Sequence, residues 1–153
     1  MRVHVVTIGT RTIVPGRLVQ AVGRAAMRAT GCPSRAEIEV ALVDDATIAR
    51  LNRRYLGHAG PTDVLTFPAG GGRGAPVLGE VVISIPRARV QARRLHHSVR
   101  REVALLLAHG VLHLRGHRDD TPRHAARMLA RAEAIVARAR GAKTLRRVRG
   151  EDR

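Results

Sequence analysis

The segment from His109 to Asp120 places two histidines four residues apart in an apolar stretch that a glycine ends. Residues i and i+4 lie on one face of an α-helix, so His109 and His113 can each direct a ring nitrogen at one ion. Residues 103–108, just upstream, are continuously apolar, which predicts a buried helix. Because a buried helix seldom carries two histidines on one face without a partner, the segment predicts a metal site.

A third ligand is expected from the turn that follows this helix. Gly116 is a typical helix end, and the turn after it would bring His117, Asp119 or Asp120 beneath the two histidines. Three protein ligands and one open position are typical of a catalytic zinc site. Gly110 stands where the H-E-x-x-H motif of zinc proteases has its glutamate, so peptide hydrolysis by that route is not predicted.

The charge of the chain favours a polyanionic partner. It has 28 basic and 12 acidic residues, a net charge of +16, which suits ribosomal RNA and exceeds what one small phosphoester requires. Tyr55 and Phe67 are its only aromatic residues of the Phe, Tyr and Trp types, so RNA recognition is expected to rest on backbone and shape rather than base stacking. Cys32 is the single cysteine, which excludes an internal disulfide and fits a reducing compartment.

The hydrophobic pattern predicts one compact α/β domain of the α+β type, with a small mixed sheet packed against helices. Strands are expected at 3–8, 37–43, 63–67 and 77–85, with a glycine-rich connection over residues 69–76. Helices are expected to begin at Pro15, at Asp44 or Asp45, at Pro86, before His109, and at Pro122.

The two ends of the chain carry separate predictions. The last helix is expected to end near Gly141, leaving residues 1–140 as the domain and 141–153 as a basic, disordered tail that adds nonspecific RNA affinity. The first residues lack the apolar core of a signal peptide, and no apolar run approaches the ~20 residues of a membrane helix. We therefore expect a cytoplasmic protein.

Three blocks of this sequence resemble the YbeY family of metal-dependent endoribonucleases in ribosomal RNA maturation. Residues 109–116 match its signature H-G-x-L-H-L-x-G, residues 51–68 are similar to its strand-loop motif, and residues 78–84 to its next strand. The resemblance implies a zinc-dependent hydrolase with one Zn²⁺ per chain that cleaves the phosphodiester bonds of single-stranded RNA. It also implies a role in 16S rRNA maturation and ribosome biogenesis on the small ribosomal subunit.

One departure from the family pattern concerns the third metal ligand. Asp119 stands where the family has its third histidine, and Arg118 stands where the family usually has aspartate. The resemblance thus implies the ligands His109, His113 and Asp119, with His117 as the alternative third ligand if the helix continues through Gly116. Aspartate ligates zinc but adds negative charge, so another divalent metal is possible; two histidines and one carboxylate also occur at non-haem iron.

A second departure is Leu56, where the family typically has an arginine near the scissile phosphate. Arg53 and Arg54 are its candidate substitutes. Glu102 lies on the same helical face as His109, where it would orient an imidazole; the alternative is that it caps or solvates the start of the helix.

These considerations give a set of candidate site residues. The catalytic candidates are Arg54 and Glu102, and the RNA-binding candidates are Arg53, Arg115 and Arg118. Thr62 and Asp63 are interpreted as turn residues near the cleft.

A rival interpretation from another class is a ribosome-assembly factor that binds RNA, cleaves it weakly or not at all, and holds a structural metal. Both departures favour that interpretation. The nucleophile, water or the RNA 2′-hydroxyl, and the oligomeric state stay open.

Overall fold

The computed structural model describes residues 1–60, 62–71 and 76–150, with side chains described as far as residue 141. These residues form four strands and five helices. In chain order they are β1 (Arg2–Ile8), α1 (Gly16–Ala29), β2 (Glu37–Val43), α2 (Asp45–Leu56), β3 (Val64–Pro68), β4 (Val77–Ser84), α3 (Ile85–Arg94), α4 (Val99–Leu114) and α5 (Pro122–Gly150).

The strands form one mixed sheet in the order β1-β2-β4-β3. β1, β2 and β4 are parallel, and β3 pairs antiparallel with β4 at the edge. This is the small mixed sheet that the sequence predicts, and the four strands lie within a residue or two of their predicted positions. Among the described residues, no helix is both long and apolar enough to cross a membrane.

Helices cover the two faces of the sheet unequally. Successive strand residues point to opposite faces, so Ile38, Val40 and Leu42 of β2 pack into a large core with α1, α3, α4 and α5. Ala41 and Val43 face the other way, into a small core with α2. The sheet therefore separates α2 from α4.

α4 is the central helix of the larger layer and packs against α1, α3, α5 and both strands of the β3–β4 pair. The Ser98 side chain caps its start by accepting a hydrogen bond from the Arg101 N–H. A Cβ atom at Gly110 would lie 2.6 Å from Val81 Cγ1, so this glycine lets the helix approach the sheet closely. The approach fixes the position of the flanking His109.

The predicted end of the last helix near Gly141 is wrong, because α5 continues to Gly150 over 29 residues. A single glycine weakens a helix by about 1 kcal/mol without stopping it, and the residues after Gly141 include strong helix formers such as alanine, leucine and arginine. The predicted disordered tail, residues 141–153, therefore has a helical backbone as far as Gly150, and residues 151–153 lie outside the described part. Residues 72–75 of the glycine-rich connection also lie outside it.

Candidate metal centre at the end of α4

The side chains of His109, His113 and Asp119 converge at the C-terminal end of α4. The two Nε2 atoms lie 3.0 Å apart, and Asp119 Oδ2 lies 3.3 Å from His109 Nε2 and 3.2 Å from His113 Nε2. Both imidazoles are half-buried, and Asp119 faces solvent. The three side chains form a group that could hold a metal ion.

The spacing of these three atoms fits a divalent cation. Ligand atoms bound tetrahedrally at about 2.0–2.1 Å from zinc are about 3.3 Å from one another, close to the three observed separations. Without a cation, two imidazole nitrogens and a carboxylate oxygen would share too few protons to satisfy all three contacts. A positive ion satisfies all three lone pairs at once.

The turn after α4 brings Asp119 to the histidines, as the sequence predicts. The Gly116 N–H donates to His113 O and the His117 N–H to Leu112 O, the pair of bonds that defines a Schellman motif. Gly116 has a φ of +86°, which glycine adopts without strain. Because α4 ends at Leu114, the helix does not continue through Gly116, and the condition for His117 as third ligand is not met.

The pKa of His109 is lowered, first by burial and then by the neighbouring His113, while the carboxylates of Asp119 and Asp63 act in the opposite direction. The lowered pKa favours the neutral imidazole, which is the form that binds a metal.

Asp63 is a residue whose importance the sequence left unresolved. Its Oδ2 accepts a hydrogen bond of 2.8 Å from Gln91 Nε2 on α3, and its Oδ1 accepts one of 2.8 Å from the Val64 N–H. The carboxylate is thus fixed at the start of β3, where its charge acts on His109. Gln91 carries no signal in the sequence, because only the packing of α3 against the sheet edge brings it to Asp63.

Glu102 lies away from the metal ligands. It is 4% exposed, and its Oε2 lies 2.5 Å from His97 Nε2. The imidazole that it contacts is therefore that of His97, just before the start of α4.

Arg53 and Arg54 lie in the last turn of α2, on the face of the sheet opposite α4. The Arg54 guanidinium lies 5.4 Å from the Tyr55 ring centroid. None of the contacts found among the described side chains joins either arginine to the metal centre. With Arg50 and Leu51, these residues line a cavity of about 440 Å³.

Arg115 and Arg118 lie in the turn between α4 and Asp119. Arg115 donates a hydrogen bond of 3.3 Å to Thr30 O at the end of α1. Arg118 pairs with Asp120, whose other oxygen lies 2.7 Å from His124 Nδ1. Burial lowers the pKa of His117, and the charges of Arg131 and Arg115 lower it further.

A single α+β domain in which two histidines of the central helix and an aspartate of the following turn converge on one point is typical of small metal-binding α+β proteins. Its residues 11–140 match the family model described as Endoribonuclease YbeY. The chain therefore belongs to the YbeY endoribonuclease family.

Curated relatives agree with this assignment. The chain is 46% identical over 124 residues to "Endoribonuclease YbeY" of Moorella thermoacetica, covering 74% of this chain and 80% of that one. It is 45% identical over 115 residues to the protein of the same name from Symbiobacterium thermophilum, covering 70% and 74%. The solution structure of TM1509 from Thermotoga maritima has the same fold, with a TM-score of 0.61 at 23% identity over 97% of this chain and 96% of that one.

Proposed function

We propose that this protein is a zinc-dependent endoribonuclease that cleaves single-stranded ribosomal RNA in the cytoplasm, during 16S maturation on the small ribosomal subunit. The observation that carries the proposal is the convergence of His109, His113 and Asp119 in a chain of this family. The net charge of +16 supports a polyanionic substrate. One zinc ion per chain suits the two nitrogen donors and one oxygen donor.

The chain contributes ligands and phosphate contacts to this chemistry. A metal held by the three side chains would polarise a phosphoryl oxygen and stabilise developing negative charge. Arg115 and Arg118, in the turn that leads to Asp119, would hold the RNA backbone by charge-assisted hydrogen bonds. Asp63, fixed by Gln91, adds a carboxylate near His109 and helps to orient this end of the site.

Different roles are proposed for the arginines at the end of α2 and for Glu102. The Tyr55 ring lies 5.5 Å from Phe67 of β3, so the end of α2 reaches the same edge strand that α4 covers on its other face. From there Arg53 and Arg54 would contact RNA that crosses the sheet edge, with Arg54 as the catalytic candidate. Glu102 acts through His97 and would position the start of α4 rather than contact RNA.

The proposal is tested by cleavage of a single-stranded ribosomal RNA fragment with Zn²⁺ and with chelator. We expect cleavage that the chelator abolishes, and a loss of at least about 100-fold in His113→Ala, because a metal ligand is removed. His58→Ala, which removes an exposed histidine at the end of α2, is the control and should cleave normally. Elemental mass spectrometry of the same samples measures zinc per chain.

The second candidate is an RNA-binding assembly factor with a structural metal, favoured by Asp119 and Leu56 at positions where the family has histidine and arginine. Wild-type protein that binds ribosomal RNA and retains its metal, yet cleaves no fragment with any divalent metal, would replace the nuclease proposal with this one.

A further inference from the structure

A second basic surface lies at the corner where the end of α1 meets α5. Five residues line a groove of about 200 Å³ there, which we call the arginine groove: Ala29, Arg131, Ala134, Ile135 and Arg138. Its floor is small and apolar, and its charged groups are two guanidiniums. None of the five lining residues is acidic, so the groove is positively charged.

Both arginines of the groove lie at the surface of the protein. Arg131 and Arg138 are exposed, and among the side chains described neither has a carboxylate within ion-pair distance. They stand seven residues apart, about 10 Å along the helix axis and on the same side of α5. Two unpaired cations held at a fixed spacing on a rigid helix suit an anionic ligand with repeated charges.

The arginine groove lies close to the turn that connects α4 to Asp119. Arg115, just after α4, bonds to Thr30 O, beside Ala29 of the groove. Positive groups therefore follow one another from Arg115, in the turn after α4, to Arg131 and then Arg138.

Two glutamates of the sheet lie on another side of the molecule. Glu39 of β2 and Glu80 of β4 are register partners in the sheet, and Glu39 shares its face with Ala41, the face that carries α2. Tyr55 and Phe67 meet on that side as well, so no aromatic ring lines the groove. A ligand of the groove is thus recognised by charge, without base stacking.

We propose that the arginine groove binds backbone phosphates of single-stranded RNA that extends from the metal centre along α5, through Arg131 and Arg138. This inference rests on the proposed function for its choice of RNA as the polyanion. It adds a binding surface that runs along α5. This surface would hold the nucleotides that flank the cleaved bond, and it would bind them without regard to base sequence.

The test is the affinity for a labelled single-stranded RNA oligonucleotide, measured by fluorescence anisotropy with chelator present so that no cleavage occurs. We expect R131Q/R138Q to bind about tenfold or more weakly, because two charge-assisted contacts are lost. The slope of log affinity against log salt should fall by about 1.4, that is about 0.7 for each phosphate contact to a single strand. R131K/R138K should restore most of the affinity, since lysine keeps the charge.

The matched control is R94Q/R140Q, which removes the same charge elsewhere. Arg94 ends α3, beside the start of α4 and away from the metal centre, and Arg140 lies about half a turn around α5 from Arg131. Equal affinities and salt slopes in the two double variants would overturn the inference, as would binding of an acidic protein with RNA affinity unchanged. Thermal melting of each variant confirms that the exposed substitutions leave the fold intact.

These experiments distinguish failure of the nuclease proposal from failure of the groove proposal. If wild-type protein does not cleave RNA with metal but R131Q/R138Q loses binding, the proposed nuclease function fails and the arginine groove stands. If wild-type protein cleaves and R131Q/R138Q binds like the control, the groove inference alone fails.

Discussion

Asp119 supplies the negative charge of the candidate metal centre and the third of its three ligand atoms. It is the one carboxylate among the three converging side chains, and it reaches both histidines from the turn after α4. Asp120, its neighbour in the chain, points instead to Arg118 and His124, which lower the pKa of its carboxyl. Two adjacent aspartates therefore have separable roles.

We expect Asp119→Ala to weaken zinc binding at least about 100-fold, because it removes one ligand and the only negative charge from the group. Asp120→Ala, which breaks only surface ion pairs, should leave zinc affinity nearly unchanged. Competition with a chromophoric chelator measures both affinities. Similar affinities in the two variants would exclude Asp119 as a ligand and direct the search to His117.

Among the helices, α4 determines where the metal centre lies. Its buried face lies against β3 and β4, and Gly110 approaches the sheet closely, with Val81 beneath it. Val81 is fully buried and β-branched, so it cannot move aside without disturbing the core. The glycine that follows the first histidine is therefore explained by packing.

Gly110→Ala should destabilise the protein by about 1–3 kcal/mol, since the added methyl group overpacks the contact with Val81. The same substitution at Gly141, a helical glycine with open space around its Cα, should stabilise by about 0.5–1 kcal/mol. Chemical denaturation of both variants gives the two free energies. A neutral or stabilising Gly110→Ala would mean that α4 can shift away from the sheet.

At the scale of the whole molecule, the metal centre lies at the rim and the core is built without it. The large core joins α1, α3, α4 and α5 to the sheet through buried apolar side chains, while the three ligands remain partly exposed. A chain of 153 residues can bury enough apolar surface to fold without a structural metal. This arrangement favours a catalytic metal over a structural one.

Metal removal should accordingly lower thermal stability without unfolding the chain. At free zinc one hundred times its dissociation constant, binding adds about 2.7 kcal/mol to stability, so chelation should lower Tm by roughly 5–10 °C. Circular dichroism at room temperature should not change on adding chelator. Loss of helix signal under those conditions would identify the metal as structural and favour the assembly-factor alternative.

The amino-acid sequence by itself determined the local features. Hydrophobic periodicity located the strands and helix starts, and the spacing of His109 and His113 followed from the pitch of one helix. Gly116 determined where α4 ends, and so which later residues could return to the histidines. These features depend on contacts within a few residues, which the chain order specifies directly.

Only the tertiary structure decided contacts between distant segments. It paired Glu102 with His97, brought Gln91 to Asp63, and placed Arg53 and Arg54 across the sheet from α4. It also carried α5 past Gly141, where a single glycine was outweighed by the helix formers around it. Side chains far apart in the chain come into contact only when the helices pack against the sheet. No local sequence pattern specifies which faces of these elements will be in contact.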